Sequence, residues 1–322
     1  MTSKRRNSTS FPFVVIALAL GLVPTLAAAG AQQPPSAGQV APDQRSNRPQ
    51  AGQEVFPSAA TATEALVTAM QNDVEASLLK ILGPNAKDII SSGDDAEDRS
   101  DRHQFVEKYQ QMHRLVMEPD GTTTLYIGAE NWPTPIPLMH KGSSWYFDTA
   151  AGKQEILYRR VGKNELAAIQ VCQELVDAEK EYYAQPHDGD QSPHYAQKLF
   201  SDPGKHNGLY WETSAGETPS PIGPLVASAA DDAGGRSAAQ ELQPFQGYYF
   251  RILQGGAAKT RGQMTQGFAF VAYPAEYRSS GVMTFIVDQD GIVYEKNLGA
   301  KTAGMAKTMT RYHVDAGWRK AD

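Results

Sequence analysis

The spacing of apolar residues changes twice along this chain, and that change constrains its fold more than any other sequence feature. Helical spacing gives way to alternation with a period of two between residues 55 and 160, and again between 161 and 322. Helices followed by antiparallel strands are typical of the α+β class. At roughly 150 residues per domain, 322 residues suggest about two domains. We therefore predict two α+β domains, 55–160 and 161–322.

In the first half, helical spacing ends near residue 113. The last predicted helix carries Phe105 and Tyr109 on its apolar face and is expected to include His113. Alternating residues then surround the Asp-Gly pair at 120–121, and a second hairpin is predicted over 135–147. The expected structure is a set of helices followed by a curved antiparallel sheet.

The second half opens with the longest helical pattern of the chain, from Glu165 to Tyr183, with Asn164 as its expected N-cap. Predicted strands follow at 247–253, 267–273, 281–287 and 292–296. A long helix packed on a small antiparallel meander is the simplest arrangement. Residues 201–246 between them show little periodicity and are predicted to form a long loop.

Cys172 is the single cysteine of the chain, so an intramolecular disulfide and a cysteine-rich metal site are excluded. It lies within the apolar stripe of the predicted long helix. A nucleophile or redox thiol is one interpretation, and a small buried apolar residue is the other. We favour the buried residue because no basic side chain lies near it on this stretch.

The N-terminus has the layout of a secretory signal peptide. Lys4, Arg5 and Arg6 precede an apolar run over 13–22, and small residues follow to Ala31. Cleavage after Ala31 is predicted, with a competing site after Ala29, whereas an uncleaved membrane anchor is the alternative. The run is shorter than the roughly 20 residues that a membrane span needs. We therefore expect an exported protein, periplasmic or extracellular, with no membrane span after cleavage.

Cleavage would leave 291 of the 322 residues, beginning with a Gln-, Pro- and Ser-rich stretch over 32–54 that is predicted to be a disordered linker. Removal of the three basic residues changes the formal net charge from −6 to −9. This acidic balance argues against nucleic acid as a partner.

The opening helices and the segment WPTPIPLMHKGSSWYFDTA, residues 132–150, resemble the cone-shaped fold of nuclear transport factor two and limonene epoxide hydrolase. The resemblance implies a pocket between helices and sheet. His103, His113, Trp132 and Asp148 are the candidates to line it for a ligand or, as the enzymatic alternative, to activate water. Their structural alternative is that they are surface, capping or core residues.

The second half resembles the globular domain of type IV pilins and pseudopilins. The similar features are N-E-x-x-A-I at 164–169, G-Y-x-F at 247–250, and the strand and hairpin of 267–295. The chain departs from pilins because the helix lacks their hydrophobic, filament-packing N-terminal part. The resemblance therefore implies the fold without the filament.

Over about 270 residues the chain resembles a bacterial family of secreted proteins designated domain of unknown function 2950. The segments that carry the resemblance include ILGPNAKDIISSGD at 81–94, FDTAAGKQEILYRRVGKNELAAIQVC at 147–172 and SGVMTFIVDQDGIVYEKNLG at 280–299. The family implies a two-part secreted protein, and it implies no activity.

Asp188, Asp190 and Ser192 form the D-x-D-x-S beginning of a calcium-loop pattern. If a metal binds, calcium at these three residues is the expected one. The sequence lacks the glycine and the closing glutamate of a complete loop, so a polar turn after the helix is the alternative. Zinc is not expected, because no two histidines are spaced three or four residues apart.

The predicted loop 201–246 contains two apolar stretches, GLYW at 208–211 and PSPIGPLV at 219–226. One interpretation is that they fix the loop to the folded body. The other is recognition of a partner or ligand, for which Tyr210 and Trp211 are the candidates.

The chain contains no G-x-S-x-G, H-E-x-x-H, Walker or G-x-G-x-x-G motif, which removes the commonest hydrolase and nucleotide-dependent classes. The leading hypothesis is a non-catalytic envelope protein that binds an envelope protein or a small ligand, without a cofactor. An enzyme using a pocket in the first domain, and a structural component of a pilus-like or secretion assembly, are the alternatives.

Overall fold

A computed structural model describes residues 48–92, 94–213, 216, 218–231, 242–253, 259–260, 263–265 and 267–321. The predicted signal peptide, its cleavage site at Ala31 and residues 32–47 of the predicted linker lie outside these residues. Residues 232–241 of the predicted loop lie outside them as well. The chain divides into two compact units that meet between Tyr158 and Arg159.

From residue 48 on, the described part of the first unit begins with four α-helices: α1 (Ala59–Gln71), α2 (Glu75–Leu82), α3 (Lys87–Ile90) and α4 (Asp95–Gln111). Ser58 caps α1 by accepting a hydrogen bond from the Thr61 N–H, and Asp94 caps α4 by accepting from two backbone N–H groups. Helix α2 stops at Gly83, whose φ of 91° favours glycine. Local capping chemistry therefore sets these boundaries.

A five-stranded antiparallel sheet follows: β1 (His113–Met117), β2 (Thr123–Ile127), β3 (Trp132–Pro133), β4 (Leu138–Lys141) and β5 (Ser144–Phe147). Its order is β1-β2-β4-β5, with β3 paired to β2. Both predicted hairpins are therefore confirmed. His113 begins β1 rather than ending the helix, because the backbone is already extended at Met112, with φ −164°.

One apolar core holds the helices against this sheet. Its buried side chains come from α1, α2 and α4 and from the inner face of the sheet, and they include Leu66, Met70, Leu82, Phe105, Leu125, Ile127, Leu138 and Phe147. Residue Gln53, which composition assigns to the linker, is attached to this unit. Its side-chain amide donates to the carbonyls of Ile81 and Phe147.

The longest helix, α5 (Thr149–Tyr183), begins 16 residues before Glu165, the predicted start. The prediction was wrong because Asp148 provides the cap: its Oδ1 accepts a hydrogen bond from the Ala151 N–H at 3.1 Å. The expected cap, Asn164, lies inside the helix and donates through Nδ2 to the Ser280 carbonyl. The boundary between the two compact units falls within α5.

The second unit continues with α6 (Pro224–Ser228), β6 (Tyr248–Ile252), β7 (Lys259–Thr260), β8 (Gln263–Met264), β9 (Ala269–Pro274), β10 (Thr284–Asp288), β11 (Tyr294–Lys296), α7 (Thr302–Thr308) and β12 (Arg319–Lys320). Strands β6, β9, β10, β11 and β12 form an antiparallel meander in the order β12-β11-β10-β9-β6. The predicted strands are thus confirmed, with shifts of a few residues at their ends.

Both faces of this meander are covered. Phe250, Phe270 and Phe285 pack with Cys172 and other α5 residues in one core, whereas Val271 and Tyr273 pack with residues of α7 and the C-terminal segment in another. Every residue of β9 is therefore buried. The apolar stretches of the predicted loop also pack in the α5 core, through Leu209, Trp211 and Ile222 among others.

The chain is thus of the predicted α+β class, with the predicted long helix and antiparallel meander. Its sheets are unclosed. Among the helices of the described ranges, none combines the length and the apolar character that a membrane crossing requires.

Candidate functional site

The predicted pocket residues of the first unit make contacts with different neighbours. His103 is 75% exposed on α4, with Nδ1 3.5 Å from the carboxylate of Glu107. His113 is also exposed. Its ring stacks on Tyr109, with centroids 3.8 Å apart, and its Nδ1 lies 3.0 Å from the Tyr109 carbonyl. The two histidines therefore belong to the outer surface of α4 and the edge of the sheet.

Trp132 lies half-buried on β3, where it pairs with Ile127, and Asp148 is buried as the cap of α5. Buried apolar side chains form the core between the helices and the sheet of this unit. The structure thus gives Asp148 a structural role that depends on its hydrogen bond to the helix start.

A different group of polar and aromatic side chains converges in the second unit, where α5 ends. We call it the histidine cluster and define it by the residues Tyr182, His187, Asp188, Asp190, His194, His206 and Trp211. Helix α5 contributes Tyr182, and the two segments that follow it contribute the rest. These segments, 187–194 and 201–211, are non-consecutive loops that the cluster joins.

Tyr182 is the buried centre of the cluster. Its hydroxyl donates a hydrogen bond to the His206 carbonyl at 2.8 Å, and its ring stacks on His187 at 3.9 Å between centroids. Burial, and then the carboxylates of Glu179, Asp188 and Asp190, raise the pKa of the Tyr182 hydroxyl well above its usual range. The hydroxyl is therefore a permanent donor.

His194 is buried beside Asp190 and makes a hydrogen bond through each ring nitrogen. Its Nε2 lies 2.7 Å from Asp190 Oδ2, and its Nδ1 lies 3.1 Å from the Tyr195 carbonyl. Both ring nitrogens thus lie within hydrogen-bond distance of protein oxygen atoms. Because these contacts occupy both nitrogens, the arrangement favours a structural role over that of a general base.

Asp188 and Tyr182 hold the backbone of residue 206 on both sides of its Cα atom. Both carboxylate oxygens of Asp188 accept the His206 N–H, at 3.0 and 2.9 Å, while Tyr182 donates to the carbonyl of the same residue. The imidazole of His206 is 47% exposed, with Nδ1 3.8 Å from Asp188 Oδ1. An exposed side chain is thus carried on a fixed backbone.

Trp211 lies beneath the two more accessible histidines. Its indole is buried, it donates to the Thr218 carbonyl at 3.2 Å, and its ring lies 4.6 Å from that of His206 and 5.9 Å from that of His187. The other predicted partner residue, Tyr210, is half-buried and packs edge-on against Phe200. Burial assigns Trp211 to the support of the surface and leaves His206 as its most accessible histidine.

The two carboxylates of the predicted calcium site face different histidines, Asp188 towards His206 and Asp190 towards His194, while Ser192 is exposed in the same loop. Within the described ranges, no three His, Cys, Asp or Glu side chains are arranged to hold a metal ion. The observed contacts are those of the polar-turn alternative.

Cys172 is fully buried in the α5 core, and burial raises the pKa of its thiol to about 12. The thiol is therefore protonated at neutral pH and enclosed by apolar side chains. This confirms the prediction of a small buried residue over that of a nucleophile or redox thiol.

The sequence contained one signal for the cluster that was not used. Three of the seven histidines lie between residues 187 and 206, close to Asp188 and Asp190. Spacing rules for zinc do not detect such a group, because its members come from two loops and contact carboxylates and carbonyls.

Comparisons with known proteins place the chain in one family. Searches of curated proteins and of solved structures found no match, so the resemblances to the cone-shaped fold and to the pilin domain stay predictions. A family model described as "Protein of unknown function (DUF2950)" matches residues 53–321, which include both compact units and the histidine cluster. The chain therefore belongs to this family, as the sequence segments of its two halves predict.

Proposed function

We propose that this protein is an exported, non-catalytic binding protein that presents a recognition surface at the histidine cluster. One observation carries the proposal: the backbone of residue 206 is held by Asp188 and Tyr182 while its imidazole remains exposed. Binding sites are commonly built from loops that a rigid scaffold positions. A side chain whose backbone is fixed before binding loses less conformational entropy when a partner engages it.

The chemistry of the cluster favours binding over catalysis. The groups that could transfer protons are engaged in internal hydrogen bonds, His194 at both nitrogens and Tyr182 through its hydroxyl. The accessible part combines the His206 imidazole and the Asp188 carboxylate. Such a surface suits a polar partner, either an envelope protein or a small ligand with hydroxyl or amide groups.

Export is supported by the N-terminal sequence, where three basic residues, an apolar run and Ala29-Gly30-Ala31 follow one another. The long helix against an antiparallel meander is the arrangement that the pilin resemblance implies, and helices before an antiparallel sheet are what the cone-fold resemblance implies. We therefore include in the proposal the pilin-like and cone-like folds of the two halves. We also include a location in the periplasm or outside the cell.

Site-specific photo-crosslinking tests the proposal. A photoreactive amino acid is placed at His206 of the full chain, expressed in the cells that produce it, and at His103 as the matched control. His103 is more exposed, at 75%, and lies in the other unit. We expect adducts with one defined partner or ligand at position 206 only, identified by mass spectrometry.

Equal adducts at the two positions, or none at position 206, would contradict a recognition surface there. The non-catalytic part is tested separately by screening the purified protein against hydrolase and isomerase substrates. A turnover that is lost on His194→Ala, while the fold is retained by circular dichroism, would overturn it.

A further inference from the structure

Strand β1 is unusual because it is a sheet edge with neither face buried. It pairs only with β2 among the described strands, and four of its five residues are exposed. Leu115 and Met117 share the sheet face of the buried Leu125, yet they are 36% and 71% exposed. An open edge with exposed apolar side chains is a template for another strand.

The hydrogen bonds between β1 and β2 show which backbone N–H and C=O groups of β1 point away from the sheet. The Glu118 N–H donates to the Thr122 carbonyl, and the Gly128 N–H donates to the Met112 carbonyl, in the same register as the β1–β2 pair. Because antiparallel bonds alternate, even-numbered residues of β1 face β2. Leu115 and Met117 therefore direct their N–H and C=O groups away from the sheet.

The charges of the edge are self-complementary. On the face opposite Leu115, Arg114 lies over the Tyr126 ring at 4.4 Å, and Glu118 accepts a hydrogen bond from the Tyr126 hydroxyl at 3.1 Å. A two-fold axis at Val116, midway between them, would place each charge directly opposite its counterpart in a second copy. Opposite charges in that position stabilise antiparallel pairing.

We propose that β1 is an interface with a second copy of this chain, paired antiparallel across a two-fold axis at Val116. Leu115 lies opposite Met117 of the second copy, and their open backbone groups form hydrogen bonds on both sides of the axis. Arg114 and Glu118 form an ion pair on each side. The alternative axis at Leu115 places Arg114 opposite Val116, so charge selects the register.

The interface involves one strand of five residues from each copy, so we expect a weak dimer whose population depends on protein concentration. Sedimentation velocity of the protein purified after expression of the full chain measures it. In the Glu118→Arg variant, Arg114 of each copy would lie opposite an arginine of the other copy, on both sides of the axis. This repulsion is expected to weaken association by about tenfold. The double variant R114E/E118R restores opposite charges and is expected to restore association.

A cysteine at the axis tests the register. Residue 116 would form a non-hydrogen-bonded pair with its symmetry mate, with Cα atoms about 4.5 Å apart, which suits a disulfide. Val116→Cys is therefore expected to yield a covalent dimer with diamide, which takes up the two thiol hydrogens. The native Cys172 is buried and does not compete.

Leu115→Cys is the matched control, because its two copies are offset in this register. Faster cross-linking of Leu115→Cys would overturn the proposed axis. A chain that stays monomeric at every concentration, and whose Val116→Cys variant does not cross-link, would overturn the interface. Restored association in the double charge variant supports it, independently of what binds at the histidine cluster.

Discussion

Cys172 shows how burial controls a reactive residue type. Its thiol lies among Val171, Leu175 and Phe285 in the α5 core, and its pKa is raised to about 12. We expect iodoacetamide to leave Cys172 unlabelled in the folded protein at mildly alkaline pH, and to label it after unfolding, as measured by mass spectrometry. Labelling of the folded protein at the rate of a free thiol would contradict this expectation.

Asp148 is a second residue whose role the structure decides. Its carboxylate accepts the Ala151 N–H and begins α5. Asp148→Ala is expected to lower the free energy of unfolding by about 1 kcal/mol, because the helix loses its cap. Asp148→Asn keeps an acceptor at the cap and should lie closer to the wild type in urea unfolding. An equal loss in both variants would point to the charge rather than the cap.

At the scale of elements, α5 was the helix that sequence spacing delimited least well. Two glycines, Gly152 and Gly162, interrupt the stretch before Asn164, and glycine inside a helix is unfavourable. The helix continues through them because Asp148 caps it and because the absence of a side chain at Gly152 allows close packing. A Cβ there would lie 2.6 Å from Ile136 Cγ1.

The two glycines give a matched prediction. A Cβ at Gly162 would have no neighbouring atom within 4 Å, so Gly162→Ala should raise the free energy of unfolding by about 0.5 kcal/mol. Gly152→Ala crowds the buried Ile136 and should lower it by about 1 kcal/mol or more. Chemical denaturation measures both. A rise for both substitutions would show that helix propensity, and not packing, decides their effect.

The strands were easier to predict than their surroundings. Alternation and Asp-Gly turns located the hairpins of both sheets, since these signals are local in sequence. The covering of the second face of the meander was not predicted, because α7 and Trp318 pack there through tertiary contacts. The histidine cluster was missed for the same reason: Asp188 and Asp190 were identified, but their partners His206 and His194 were not.

At the scale of the whole molecule, the fold is held by packing without a disulfide, since Cys172 is the single cysteine. A protein that leaves the cytoplasm would then be insensitive to the redox state of its surroundings. Among the residues that the structure describes, three apolar cores provide this packing, one in the first unit and two on the faces of the meander in the second.

The proposed export can be tested at the N-terminus of the recovered protein. N-terminal sequencing of the protein recovered from outside the cytoplasm is expected to begin at Gln32, after removal of residues 1–31. Ala31→Tyr, which places a bulky residue before the cut, is expected to block cleavage there. A sequence that begins at Gly30 would select the competing site, and a membrane-bound chain that keeps Met1 would contradict a cleaved signal.

The hydrogen bonds that hold the backbone of residue 206 have a consequence for how the side chain at this position can vary. The hydrogen bonds from Asp188 and Tyr182 go to the backbone N–H and carbonyl of that residue, so any residue except proline can make all of them. Mutation can therefore exchange the side chain at this position while these backbone hydrogen bonds remain, although the ring contact with Trp211 is lost. A surface built in this way can acquire new partners one substitution at a time, while the scaffold beneath it stays the same.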